Sequence, residues 1–314
     1  MNSGSPHDPG AKELGRFIPQ HYHYQMLLDE ARMIGFRAAL ELVVPVGGRV
    51  LELGTGTGVL SFFAARSGAS RVWCVERQPD LADRARSLLA ANGVGDRVSV
   101  VTGDAFAYLP PEPVDLVVCE MLHSALLRES QVRMLAEFRD RYQKKFGPTL
   151  PVFVPQATLL GVEPIEFDYD FFDYRAPLPL FEDPSNPSNR VKALGPVTPY
   201  QIVDYLSASP GPIAFDGSLS VAEAGECNAL RFVTKNVLAI DPGASPGEGQ
   251  DGVRPADTRI IEWMNQNLVV PLATPLAVGA GAALAARFAY QPGDEIEALL
   301  ESLAVSVTSQ ATRK

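Results

Sequence analysis

Cysteine is scarce in this chain. Only Cys74, Cys119 and Cys227 occur in 314 residues. They are too few and too scattered for a disulfide framework or a zinc site. Cys74 and Cys119 fall inside apolar strand patterns, so inert core thiols are expected. Basic charge is also short. Lys and Arg number 27 against 37 Asp and Glu, a formal charge of −10. That balance excludes a nucleic-acid partner held by phosphate contacts. No apolar stretch reads as a membrane span. The longest, Leu268 to Ala286, is broken by Pro271, Pro275, Gly279 and Gly281. The first residues lack a basic, apolar leader pattern. These absences predict a soluble, cytoplasmic protein with no membrane partner. No internal repeat is present.

What is there supports a real core. Apolar residues make up 46% of the chain, and 314 residues are comfortable for two domains. The charge is unevenly placed. Residues 1–150 hold 17 acids and 17 bases, whereas residues 151–314 hold 20 acids and 10 bases. The acidic second half would attract a cationic substrate, or it serves solubility alone.

The sharpest local signal is Leu51-Glu52-Leu53-Gly54-Thr55-Gly56-Thr57-Gly58. An apolar strand runs into three alternating glycines, and a helix pattern follows at once. Glycines there let the backbone approach a ligand closely. The helix behind them offers free N–H groups and a positive dipole end. Glu76 ends the next apolar strand, placed to bind ribose hydroxyls. Nicotinamide sites usually read GxGxxG. The spacing here is GxGxG with Glu52 two residues before it, which resembles the S-adenosylmethionine (SAM) site of class I methyltransferases.

Residues 1–20 read as a flexible segment, with 1–16 partly disordered. Helical spacing runs from Tyr22 to Leu42 and ends at Pro45 and Gly47-Gly48. Strand and helix signals then alternate, which predicts a doubly wound parallel α/β domain over 21–150. Gly54–Gly58, Glu76, Asp104 and Glu120 all fall at strand C-terminal ends, where ligands bind in such folds. After Gly147-Pro148 the pattern turns to short runs separated by Pro and Gly: 150–154, 157–163, 229–239, 268–272 and 283–290. A mostly β, barrel-like domain is expected over 151–314. Residues 241–257 are poor in apolar residues and read as a mobile loop.

Glu120 ends the strand 114–119, and Glu129 follows nine residues later. A loop folding back would bring both carboxylates to one point, where they could make bidentate, charge-assisted hydrogen bonds to a guanidinium. The plain alternative for Glu129 is an acid in a helix first turn.

His23-Tyr24-Gln25-Met26-Leu27-Leu28-Asp29-Glu30-Ala31-Arg32 resembles the N-terminal helix signature of the protein arginine methyltransferases, H-x-x-M-L-x-D-x-x-R. Glu120 and Glu129 are similar in spacing to that family's paired glutamates. Trp263, within Glu262-Trp263-Met264, resembles the tryptophan of its threonine-histidine-tryptophan loop. The resemblance covers most of 20–163 and thins out towards 263–288. It implies that Arg32 pairs with the SAM carboxylate and that Gly54, Gly56 and Gly58 pack against its amino-acid moiety. It implies Glu76 on the ribose and Asp104 on the adenine amine. A surface arginine and a loop-capping acid are the plain readings of Arg32 and Asp104.

Departures from the pattern matter as much. Glu262 stands where the family has a histidine that pairs with the helix aspartate, here Asp29. Two acids face to face resist joint ionisation, so either the loop sits differently or a cation fills the gap. Met121, Leu122, His123 and Ser124 replace the usual aromatics between the two glutamates, and of the aromatic-rich segment preceding the helix signature only Phe17, Tyr22 and Tyr24 are present. His123 is a candidate proton acceptor, or a loop histidine without a task. Seven acids between Glu163 and Asp183 interleave with Phe167, Tyr169, Phe171, Phe172 and Tyr174. They read as a solvated edge, as a dimer-forming arm, or as a wall for an organic cation.

The expected activity is transfer of the SAM methyl to a nitrogen of a protein arginine or an arginine-like small molecule. Glu120, Glu129 and His123 are the catalytic candidates, and Asp29, Glu262 and Trp263 the substrate-binding ones. The sulfonium is already electrophilic, so no metal is required. The alternatives are O- or C-methylation of a natural product with His123 as base, and a SAM-binding scaffold without turnover.

Overall fold

The computed structural model describes residues 20–241 and 259–308. The expected disordered segment 1–16, Phe17, and the expected loop beyond Asp241 lie outside the described residues.

Apolar strand runs of this composition are stable only when both faces are covered. Arg49–Leu53 (β1), Arg71–Glu76 (β2), Val98–Thr102 (β3), Leu116–Cys119 (β4) and Val152–Val154 (β5) form one parallel sheet in the order β3-β2-β1-β4-β5. The helices Glu30–Val43 (α2), Val59–Arg66 (α3), Pro79–Ala91 (α4) and Gln131–Phe146 (α5) lie along this part of the chain, behind a short first helix, Gln20–Met26 (α1). The sequence pattern groups 150–154 with the β-rich second half. The structure instead pairs Val152 with Leu116 and Val154 with Val118 in parallel, so the parallel sheet extends past 150.

The single helix expected from Tyr22 to Leu42 is two helices. Asp29 stands at the break and caps α2, its Oδ1 accepting from the Arg32 N–H at 3.0 Å. A capping acid satisfies one of the four orphan N–H groups of a helix start. α2 then buries Phe36, Ala39, Leu40 and Val43 on one face, the i, i+3, i+4 spacing of a core-facing stripe.

The remainder is mostly antiparallel. Ala157–Phe167 (β6) pairs with the long strand Gly225–Ile240, which pairs with Asn267–Val278 and with Ile260–Met264. A three-stranded sheet, Ile213–Ser220, Ala283–Tyr290 and Ala304–Val307, stands beside it. Phe232 from the larger sheet meets Phe288 from the smaller at 5.1 Å, and Tyr200 meets Phe288 at the same distance. These rings close the barrel-like core. The core is continuous with the α5 side of the parallel sheet, so the two parts share buried surface.

Candidate active site

Strand order reverses between β1 and β4, and that is where side chains converge. Leu53 pairs with Val75 on one side and with Cys119 on the other. Three strands therefore end level, and the next residues are Gly54, Glu76 and Glu120. Val75 pairs in turn with Val101, which brings Asp104 to the same edge. Topology of this kind opens a crevice at the strand C-terminal ends. A cavity of about 490 Å³ lies there, within the roughly 300–1,000 Å³ of small-molecule sites. Arg32, Glu52, Gly54, Gly56, Glu76, Asp104, Glu120 and Glu129 line it.

Gly54 and Gly56 hold φ of 82° and 55°, a region L side chains adopt at a cost. A Cβ on Gly56 would lie 3.1 Å from Nδ1 of His23, so α1 crosses the loop at close range. Gly58 departs from expectation. It is the N-cap of α3 and packs on Leu89 instead of lining the cavity. Glu76 accepts from the Gly56 N–H at 3.0 Å and from the Gln78 N–H at 2.9 Å. Glu52 reaches behind the loop, where it meets the Ser61 N–H at 3.1 Å and the Ser61 hydroxyl. Burial pushes its pKa up to about 8 against the pull of Ser61. Through Ser61 it braces the start of α3. Asp104 accepts from the Phe106 N–H at 2.9 Å, so it caps its loop and lines the cavity as well.

Arg32 projects from the first turn of α2. Its guanidinium pairs with Glu120 and sits 5.3 Å from the Trp263 ring. Burial lowers its pKa to about 10, opposed by Asp29 and Glu129, so it stays cationic. Burial also raises Glu129, to about 7, opposed by Arg128 and Arg32. Between the two glutamates the chain turns through Ala125, Leu126 and Arg128, with φ of 56°, 57° and 62°. Each left-handed non-glycine residue carries about 1 kcal/mol or more of strain.

Several predicted residues fall elsewhere. His123 does not line the cavity. It lies edge-on to Phe181 at 5.1 Å, and burial lowers its pKa to about 4. An imidazole that weakly basic is a poor proton acceptor. Trp263 is buried, 6.0 Å from Phe36, and supports Arg32 from beneath rather than lining the cavity. Asp29 is the α2 cap. Glu262 pairs with Lys235 Nζ at 2.6 Å, so a cation does stand beside it.

The acidic segment lines no part of this cavity; Glu166, Asp168 and Asp170 border a separate hollow together with Arg190 and Lys192. Glu163 and Glu182 clamp Arg231 at 2.8 and 2.9 Å. Asp168 pairs with Arg190 at 3.4 Å and Glu166 with Lys192 at 3.8 Å. Internal cations thus occupy four of its seven acids. A two-residue turn, Phe172–Asp173, closes a short hairpin and leaves Phe172 98% exposed.

Sequence reasoning missed the apolar wall of Met26, Leu27, Met33, Met121 and Leu122, and also missed Phe106 with Arg133 over its ring at 5.3 Å. Met26 and Leu27 stand within the helix signature. Phe106 and Arg133 carry no local signal, because α5 reaches the cavity only through tertiary packing.

Residues 50–145 match the family described as a methyltransferase domain. The chain is 30% identical over 297 residues to an arginine N(omega)-methyltransferase of Streptomyces achromogenes subsp. streptozoticus, covering 90% of this chain and 79% of that one. Arabidopsis thaliana protein arginine methyltransferase 10 superposes with a TM-score of 0.69 at 20% identity, covering 88% of this chain and 89% of that one. The Trypanosoma brucei PRMT1 enzyme–prozyme complex with AdoHcy gives 0.66 at 20% identity, covering 86% and 87%. The chain belongs to the class I SAM-dependent methyltransferases, in the family related to the arginine methyltransferases. Its methyl donor is SAM, and the cavity has the donor set for it: a cationic Arg32 for a carboxylate, Glu76 for hydroxyls, and a glycine edge for close approach.

Proposed function

We propose, with membership of that family as the premise, that this chain methylates a guanidine nitrogen of arginine, free or within a peptide. The observation that carries this reading is the meeting of Glu120 and Glu129 with the glycine loop on one cavity. Carboxylates bind a planar guanidinium through directed, charge-assisted hydrogen bonds. Bound SAM supplies an electrophilic methyl on its sulfonium. The work of this chain is to hold and orient. Arg32, Gly54, Gly56, Glu76 and Asp104 hold the cofactor. Glu129 orients the acceptor nitrogen, and its carboxyl, raised to about 7, is matched to receive the proton released at neutral pH. Met121 and Leu122 keep water from the reacting atoms. Positioning and fixed charge supply most of the rate.

The free amino acid is favoured by the Streptomyces relative, whose name gives arginine itself as the acceptor. The base-assisted alternative has lost its support, since His123 lies off the cavity. The exposed Phe172 hairpin supports a homodimer with this segment as its arm.

Release of S-adenosylhomocysteine tests the reading, with L-arginine, an arginine-rich peptide, and a pool of amines and phenols as acceptors. Wild type is run beside Glu129→Gln. Turnover on a guanidine that collapses in the variant is the expected result. Turnover confined to phenols, insensitivity to Glu129, or no turnover at all would sink it.

A further inference from the structure

The turn between Glu120 and Glu129 is tied to α5 at its start, where the Met121 N–H donates to Gln131 Oε1 at 2.8 Å, but its strained centre is held from the antiparallel part. Ala125 and Leu126 are buried with φ of 56° and 57°. Both polar backbone groups of Ala125 end on side chains of the antiparallel part. Its N–H donates to Thr234 Oγ1 at 2.7 Å, and its carbonyl accepts from the Tyr290 hydroxyl at 2.8 Å. Tyr290 lies 2.9 Å from the Tyr200 hydroxyl. Since Tyr290 donates to Ala125, Tyr200 donates to Tyr290. Burial holds both phenols well above the usual tyrosine range, so both remain donors at any working pH.

The segment that follows the strand ending at Tyr290 carries the clamp further. Gly293 N–H donates to Leu126 O at 2.9 Å, and Arg128 N–H donates to Asp294 O at 2.7 Å. Arg128 Nε lies 3.1 Å from Glu295. Residues 290–295 therefore fix three points of the turn that delivers Glu129: Ala125, Leu126 and Arg128.

We infer that Tyr290 is a positioning residue for methyl transfer: its hydroxyl, backed by Tyr200, locks Ala125 in the left-handed conformation that presents Glu129 to the acceptor. The inference rests on the reading of Glu129 above. Tyr290 itself touches neither cofactor nor acceptor. Its removal should loosen the turn, let water reach Glu129, and leave the cofactor end of the cavity intact.

The test is Tyr290→Phe, which keeps the ring and removes one oxygen. With L-arginine and an arginine-rich peptide as acceptors, kcat should fall about tenfold, the scale of one buried hydrogen bond. The SAM dissociation constant by calorimetry should stay within about twofold. The acidic limb of the kcat–pH profile should move to lower pH as Glu129 becomes solvated. Hydrogen exchange at the Ala125 and Leu126 amides should accelerate, a readout that needs no acceptor. Tyr200→Phe should shift every readout the same way by less. Phe215→Leu, which weakens the same aromatic core away from the turn, controls for stability loss and should leave the pH limb in place. An unchanged kcat and pH limb in Tyr290→Phe would overturn the inference, as would a limb shift equal to that of Phe215→Leu. Glu129→Gln separates the two ideas. If it stays active, the reading of Glu129 fails and the clamp falls with it. If it collapses while Tyr290→Phe behaves as wild type, only the clamp fails.

Discussion

Replacing Glu129 by Gln should stabilise this protein while disabling it. Burial raises the Glu129 carboxyl from 4.5 to about 7, so ionising it in the folded state costs up to about 3 kcal/mol more than in the unfolded chain. The cavity mouth screens part of that cost, which leaves about 2 kcal/mol. The sign follows from proton binding. Between pH 4.5 and 7 the folded chain holds this proton and the unfolded chain releases it, so stability falls as pH rises through the window. Below 4.5 both states are protonated, and glutamine and glutamic acid are near equivalents. Above 7 the variant avoids the whole cost. Thermal unfolding should show Glu129→Gln about 4 °C above wild type at pH 8.5, with the gap closing towards pH 4.5. In parallel, kcat/KM for a guanidine acceptor should drop about 10²-fold, roughly 3 kcal/mol of lost charge-assisted bonding. Wild-type activity should fall about tenfold per pH unit below 7 as the carboxylate is lost. Equal melting temperatures at both pH values would refute the argument that Glu129 is held ionised at a cost.

His123→Asn should leave kcat within about twofold of wild type, because the imidazole packs on Phe181 away from the cavity. A hundredfold loss by S-adenosylhomocysteine release would return it to the chemistry. Arg32→Lys should raise the SAM dissociation constant about tenfold in calorimetry, since an ammonium cannot pair with Glu120, stack on Trp263 and meet a carboxylate together. Gly58→Ala should destabilise more than Gly47→Ala in urea unfolding. Both have positive φ, but a Cβ at 58 meets Leu89 at 3.1 Å, whereas one at 47 meets nothing within 4 Å. The difference between them, about 1 kcal/mol, measures overpacking alone.

How much of this was legible in the chain divides along one physical line. In the cofactor half, local chemistry and final conformation agree. Glycines occupy the left-handed positions at 54, 56 and 58, and apolar runs become buried strands. The resemblance to the arginine methyltransferases reached the right family and fold through the His23–Arg32 signature, the Glu120–Glu129 spacing and Trp263. The 120–129 turn is the opposite case. Its left-handed residues are Ala125, Leu126 and Arg128, none of which announces that conformation. Thr234 and Tyr290 impose it from more than 100 residues away. Likewise nothing near Glu163 indicates that it clamps Arg231, or near Trp263 that it lies under Arg32. Side chains with distant partners account for most of the misread roles; Asp29, which caps α2 through a partner three residues on, is the local exception.

The two glutamates are not equivalent, and Arg32 is the reason. Glu120 already faces a guanidinium supplied by its own chain, which engages its Oε2 before any acceptor arrives. Glu129 has Arg128 and Arg32 as charged neighbours, but its raised pKa shows that they do not offset its desolvation. An arriving guanidinium therefore gains more from Glu129 than from Glu120, because it relieves a charge left underpaired. Glu120→Gln should then act through Arg32, by freeing it and disturbing the cofactor carboxylate, and should raise the SAM dissociation constant. Glu129→Gln should leave that constant alone and act on the acceptor. Opposite assignments in the two variants would mean that Arg32 does not divide the cavity between donor and acceptor as the pairing implies.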